Sequence, residues 1–134
     1  RRDTKWKTKE HEANQAALHT MRSLIPSDIA MMSYSDFDAT VRTTGGYYPQ
    51  ELLRYLKDNK FLHWVVTHPD DIRSANFLLG NHTKYFTDLR QYDVVELRAI
   101  LAVLPESFDL DRDGSKARWR DEFMQIVKDR IAKV

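Results

Sequence analysis

Apolar residues return every three or four positions along most of this chain, the spacing that lines one face of a helix. Over residues 4–25 the stripe is Ala13, Ala17, Leu18, Met21, Leu24 and Ile25, and Pro26 closes it. Ser27 and Ser35 are placed to cap two short helices over 28–33 and 36–43, and Gly45-Gly46 then marks a turn. Pro49 suits the first position of a helix that runs to about residue 59 through Leu52, Leu53 and Leu56. Residues 60–67, Lys-Phe-Leu-His-Trp-Val-Val-Thr, hold β-branched and aromatic residues that would suit a strand but have no strand partner, so they read as a short buried helix or an extended link.

Beyond them, Pro69 with Asp70 and Asp71 opens a helix carrying Ile72, Ala75, Phe77, Leu78 and Leu79, which Gly80 ends. A single helical turn is expected over 83–89, around Tyr85 and Phe86. Asp93 caps a stronger helix through Val94, Leu97, Ile100, Leu101 and Leu104, with Pro105 as its stop. The final helix puts Trp119, Phe123, Ile126, Val127, Ile131 and Val134 on one face and Asp121, Lys128, Asp129 and Lys133 on the other. Trp119 is expected to pack this helix onto the core. No helix hides its apolar face alone, so the stripes must bury one another. The expected fold is all-α: one bundle of about six or seven mostly short helices, with longer amphipathic helices at the two ends. It is read as a single helical domain over 1–134, with a basic N-terminal helix over 1–25 and a helical core over 26–134. Because the sequence starts at Arg1, it is further expected to be a segment of a larger protein.

Composition narrows the class. Charged residues at 31% and hydrophobic ones at 42% give a globular balance. No apolar run approaches a membrane span. With no cysteine, disulfides, thiol catalysis and cysteine-held metals are excluded, and a reducing compartment is favoured: the cytoplasm first, the nucleus second. The net charge of +1 does not describe a general polyanion binder.

The motifs that promise chemistry fail on inspection. Asp109, Asp111, Asp113 and Gly114 occupy the first, third, fifth and sixth places of a calcium loop. The closing bidentate Glu is replaced by Arg120, and Lys116 takes an aliphatic place, so a cation stands where calcium needs its main ligand. Asp111 or Asp113 is expected instead to cap the last helix, a magnesium or surface acidic site being the other reading. His11-Glu12 begins a zinc-protease pattern, but Gln15 stands where the second His belongs, and His19, His63 and His82 show no ligand spacing. His68-Pro69-Asp70 matches the tripeptide of J-domain co-chaperones; the residues before it, Phe61, Leu62, Trp64, Val65 and Val66, cannot form the basic helix such domains carry. No phosphate-cradling glycine loop or nucleophile elbow occurs. Asn81-His82-Thr83 fits a glycosylation triplet that is expected to go unused.

Two surfaces are left to carry function. Tyr47, Tyr48, Phe61, His63 and Trp64 form the densest aromatic region outside the long helices, beside a two-glycine turn and a proline, where large rigid rings can line a groove for a partner helix or peptide. Arg1, Arg2, Lys5, Lys7 and Lys9 crowd the start around Trp6, which would suit phosphate contacts and base stacking. The first surface is preferred. The chain is expected to be a non-enzymatic protein-interaction module of an intracellular adaptor or scaffold in cytoskeletal, trafficking or signalling work, with no cofactor and no metal. Its partner would be another protein, and the alternative is a nucleic-acid-binding helical domain.

Overall fold

The structure is a computed structural model that describes the backbone of residues 4–43, 46–80, 82–108 and 117–134, and the side chains of 9–43, 46–78, 83–104 and 118–134. The fold is all-α. Among the described residues the helices are α1 (Thr4–Ser23), α2 (Ser27–Ala30), α3 (Tyr34–Arg42), α4 (Gln50–Asp58), α5 (Lys60–Thr67), α6 (Ile72–Ala75), α7 (His82–Tyr85), α8 (Val94–Phe108) and α9 (Ala117–Lys133). A π turn, Asn76–Gly80, continues α6, and a 3-10 turn, Leu89–Gln91, precedes α8. There are more elements than the six or seven expected because single residues break the chain. Asn59, with φ −124° and ψ 45°, separates α4 from α5.

The long helices frame the core. Helix α1 packs extensively on α8, and α8 packs in turn on α9. Leu18 and Met21 from α1 meet a stretch of α8 in which Leu97 and Ala99 through Leu104 are all buried. Arg98 turns outward and bridges the two helices, its Nη1 lying 3.2 Å from Glu10 Oε2 and 3.1 Å from Asn14 Oδ1. That burial explains why α8 does not stop at Pro105 as the sequence suggests. Proline removes one hydrogen bond from the last turn, but packing through Leu104 holds the helix in register to Phe108.

Helix α5 lies in the middle. Leu62, His63, Trp64, Val65 and Val66 are all buried, against α8, α1, α3 and α4. Five consecutive buried positions leave a short apolar run whose β-branched and aromatic residues would suit a strand as well as a buried helix. Trp64 meets Tyr34 edge-on at 5.1 Å, Phe37 at 5.7 Å and His68 in a stack at 3.7 Å. The array continues from Tyr34 to Phe77, and Phe77, Phe61 and Tyr85 close a three-ring cluster at 4.5 to 5.0 Å. Arg22 of α1 donates from Nε to the Val66 carbonyl at 2.6 Å, satisfying a free carbonyl at the C-terminal end of α5.

Local capping departs from the sequence reading in instructive places. Ser33, not Ser35, caps α3, its hydroxyl accepting from the Asp36 amide at 3.2 Å. Starting there puts Tyr34, Phe37 and Val41 on one face, where Tyr34 and Phe37 meet Trp64 and Val41 is buried. Ser27 lies inside α2, with Pro26 at the cap position and no side-chain cap. Pro49 likewise precedes α4 as its cap residue. The helix expected from Pro69 begins only at Ile72, where Asp71 caps it by accepting from the Arg73 amide at 2.9 Å, and it passes into the π turn after Ala75. Asp93 caps as expected. Its carboxylate accepts from the Glu96 amide at 2.8 Å while Glu96 Oε1 accepts from the Asp93 amide at 2.9 Å, a reciprocal capping box.

On α9, Phe123 and Val127 are buried, but Trp119 is 47% exposed, and Ile126 and Val134 also reach solvent. Trp119 therefore sits at the margin of the buried face instead of pinning the helix to the core. Leu24 is exposed as well, at the frayed end of the α1 stripe. Trp64→Ala is expected to lower stability by about 3 to 5 kcal/mol, the range for emptying a packed aromatic site, and Trp119→Ala by less than half as much. Urea unfolding of the two variants checks the order.

Candidate functional site

The five aromatic residues proposed as one partner surface are split by the fold. His63 and Trp64 are fully buried in α5, and Phe61 is half-buried between Phe77 and Tyr85. They serve the core because their helix is covered all round. Of the five only Tyr47 is exposed, and Tyr48 beside it is half-buried like Phe61. Gly46, with φ +109°, makes the left-handed turn that delivers them, a conformation strained for any L side chain. Their rings meet edge-on at 5.0 Å.

Tyr48 is held down and Tyr47 is held out. The Tyr48 hydroxyl donates to the Asp28 carboxylate, which joins the approach to α4 to the short helix α2. That bond, with smaller help from burial and the Asp28 charge, pushes the phenol up to about 12. Tyr47 is 89% exposed. Three residues after Asp28, Met31 is 84% exposed, so among the described residues the two most exposed large apolar side chains each lie close in sequence to a partner of this hydrogen bond. Sequence reading passed over Met31. Its available signal was a Met-Met pair in the three-residue link between α2 and α3.

A second constellation is polar and enclosed. Glu96 is buried at the start of α8, where its Oε2 accepts from Asn59 Nδ2 at 3.0 Å, so the α4–α5 joint is tied to the α8 capping box. Burial raises the Glu96 carboxyl, the neighbouring Asp93 charge adds to this, and the Asp93 amide partly opposes it. Tyr92 is pushed up to about 12 by burial and by Glu96, and Tyr55 moves in the same direction from burial, Glu96 and Asp93. Tyr55 in turn meets the His63 ring at 4.5 Å. Neither His63 ring nitrogen makes a hydrogen bond, and burial drops its pKa to about 4, a shift that the nearby Asn59 and Leu56 backbone groups only partly resist.

The remaining features are more ordinary. A cleft of about 370 Å³ between α3 and the α4–α5 joint is lined by Asp38, Arg42, Lys57, Asp58, Lys60 and Phe61 among others. Two of its cations are already engaged: Asp38 takes Lys60 Nζ at 2.9 Å and Arg42 Nη2 at 3.1 Å, and these contacts hold its carboxyl below the ordinary range. Of the basic N-terminal set, Arg1 and Arg2 lie outside the described residues. Lys5, Trp6 and Lys7 fall in the first turns of α1 with their side chains outside the described set, and Lys9 is exposed. The Asp109-Asp111-Asp113 loop, with the helix cap assigned to it, also lies outside the described residues, as does Asn81. Among the described residues no three His, Asp or Glu side chains gather as metal ligands, and no helix is long and apolar enough to cross a membrane. No protein-family model, curated protein or solved structure matches the chain.

The His63 site makes stability pH-dependent with a definite sign. The folded state keeps the imidazole neutral down to about pH 4, while the unfolded chain takes up the proton from about pH 6.5 downward. Stability therefore falls as pH drops through that window, by a total of about 3 kcal/mol from this group. Glu96 acts in the opposite sense: its raised carboxyl contributes stability at low pH that is lost as pH rises through its folded-state value. Unfolding free energies measured across the window should slope upward with pH in the wild type and lose most of that slope in His63→Leu.

Proposed function

We propose that this chain is a non-enzymatic helical module that docks another protein through the Tyr47–Met31 end of the bundle. The observation that carries the reading is the exposure of those two side chains, one next in sequence to Tyr48 and the other three residues from Asp28, the partners of one hydrogen bond. An exposed tyrosine and a flexible methionine are side chains that interfaces favour. The ring buries a large area at small entropic cost, and the thioether adapts to its partner's contour. The tie to Asp28 lowers that cost further by fixing the backbone under Tyr47 before any partner arrives.

The partner best suited to such a patch is an apolar face of a helix or peptide, laid across the α2 end and the approach to α4. Asp28 is exposed in the same region and accepts from Tyr48, so the patch offers rings and a thioether beside a hydrogen-bonded carboxylate. A role in an intracellular adaptor or scaffold, in cytoskeletal, trafficking or signalling assemblies, is the setting proposed for a module of this kind.

The test is a comparison of wild type with Tyr47→Ala/Met31→Ala in capture from cell lysate, with and without nuclease. Both side chains are exposed, so the double variant should keep the wild-type thermal midpoint. Proteins lost from the variant and kept after nuclease treatment support the reading, and their affinity should fall at least about tenfold, the cost of losing one interface anchor. Capture that is unchanged in the variant, or that vanishes with nuclease, overturns it. The nuclease-sensitive result would move attention to Arg1, Arg2, Lys5, Trp6, Lys7 and Lys9.

A further inference from the structure

The cleft between α3 and the α4–α5 joint gathers more positive charge than its own carboxylates answer. Arg42 comes from the end of α3, Lys57 from the last turn of α4 and Lys60 from the first turn of α5, so three helices bring three cations to one opening of about 370 Å³. That volume is of the size that small-molecule sites have. Two carboxylates share the lining, and they are placed unequally. Asp38 serves Lys60 and Arg42 together, taking Nζ at 2.9 Å and Nη2 at 3.1 Å. Asp58 and Lys57 are both exposed, and among the described residues neither makes an ion pair.

The engaged cations keep donors in reserve. A lysine ammonium has three N–H groups and a guanidinium five, while Asp38 has only two oxygens to share between them. The Lys60 side chain is only 20% exposed, so solvent and salt screen its charge less than that of a surface lysine. Its ammonium also lies over the Phe61 ring at 4.9 Å. Phe61 and the buried Val41 give the same cleft an apolar, partly aromatic lining beside its cations.

A ligand complementary to such a lining carries concentrated negative charge and an apolar part. A carboxylate brings a single charge. A phosphoryl dianion brings nearly twice that charge on three strong acceptor oxygens, enough to take a contact from each of three cations. We infer that the cleft binds the phosphoryl group of a small organic phosphate monoester, with Arg42, Lys57 and Lys60 on its oxygens and the organic part against Phe61. Asp38 holds Lys60 and Arg42 in place before the ligand arrives, and Asp58 opposes binding through its like charge. None of the residues of the docking patch is involved.

Phenyl phosphate and inorganic phosphate are the probes, titrated into the whole chain at about pH 8, where the monoester is dianionic, and followed by backbone amide NMR. Phenyl phosphate should give saturable shifts centred on residues 38–42 and 57–61 and bind more tightly than inorganic phosphate. Lys57→Gln removes an exposed cation that holds no other side chain, so it should keep the wild-type thermal midpoint and weaken binding at least about threefold, while Asp58→Asn should tighten it about twofold. Lys128→Gln, an equal change of net charge at an exposed position on α9, should leave the affinity as it is. Shifts that do not saturate or that scatter over other exposed cations, equal losses in Lys57→Gln and Lys128→Gln, or no preference for phenyl phosphate overturns the inference.

Discussion

Burying α5 on every side is the constraint on which the rest of the structure depends. A helix with five consecutive buried residues cannot lie on a surface, so elements must be supplied all around it. Helices α1 and α8 provide two walls, α3 provides Tyr34 and Phe37, and α4 closes the remaining side. The ring array around Trp64 follows from the same demand. Seven rings in successive contact, from His68 and Phe37 through Trp64 and Tyr34 to Phe77, Phe61 and Tyr85, fill a space that short helices with modest side chains could not.

Enclosure also sets what the chain can display. The aromatic residues of α5 look, in the sequence, as much like an interface as like a core, because composition alone does not say which rings will be covered. Once α5 is central, His63 and Trp64 are committed to packing. What is left for a partner comes from the joints, where a short helix ends or a glycine turns the chain. Met31 and Tyr47 are exposed for that reason. Each follows a point where backbone direction is set by a turn, and neither lies on a stripe that a neighbouring helix needs.

How far the sequence was legible varies with the local physics. Helices with one buried face, α1, α4 and α9, could be read from three- and four-residue spacing because solvent on the other side leaves a polar record. The enclosed α5, with its run of β-branched and aromatic residues, would suit a strand as well, and its helical state depends on neighbours distant in sequence. Proline was misleading in α8, since burial of Leu101 through Leu104 outweighs one missing hydrogen bond. Serine caps were found in the right neighbourhood but not at the right residue. The choice between Ser33 and Ser35 is made by which frame turns Tyr34 and Phe37 toward Trp64, and that is tertiary information. The capping box of Asp93 and Glu96 carried a readable signature in its three-residue spacing. The Asn59 bond that makes Glu96 a link between α4 and α8 did not.

The same enclosure gives the buried polar groups their leverage. A histidine on a helix with a wet side would lose and gain protons with little structural consequence. In α5 the imidazole has no hydrogen-bond partner, and Glu96 nearby is a buried carboxylate bonded to an amide side chain and a backbone amide, with no cation among its hydrogen-bonding partners. Such groups would be disfavoured in a fold selected for stability alone, since leucine at 63 or glutamine at 96 would avoid the cost of burying them.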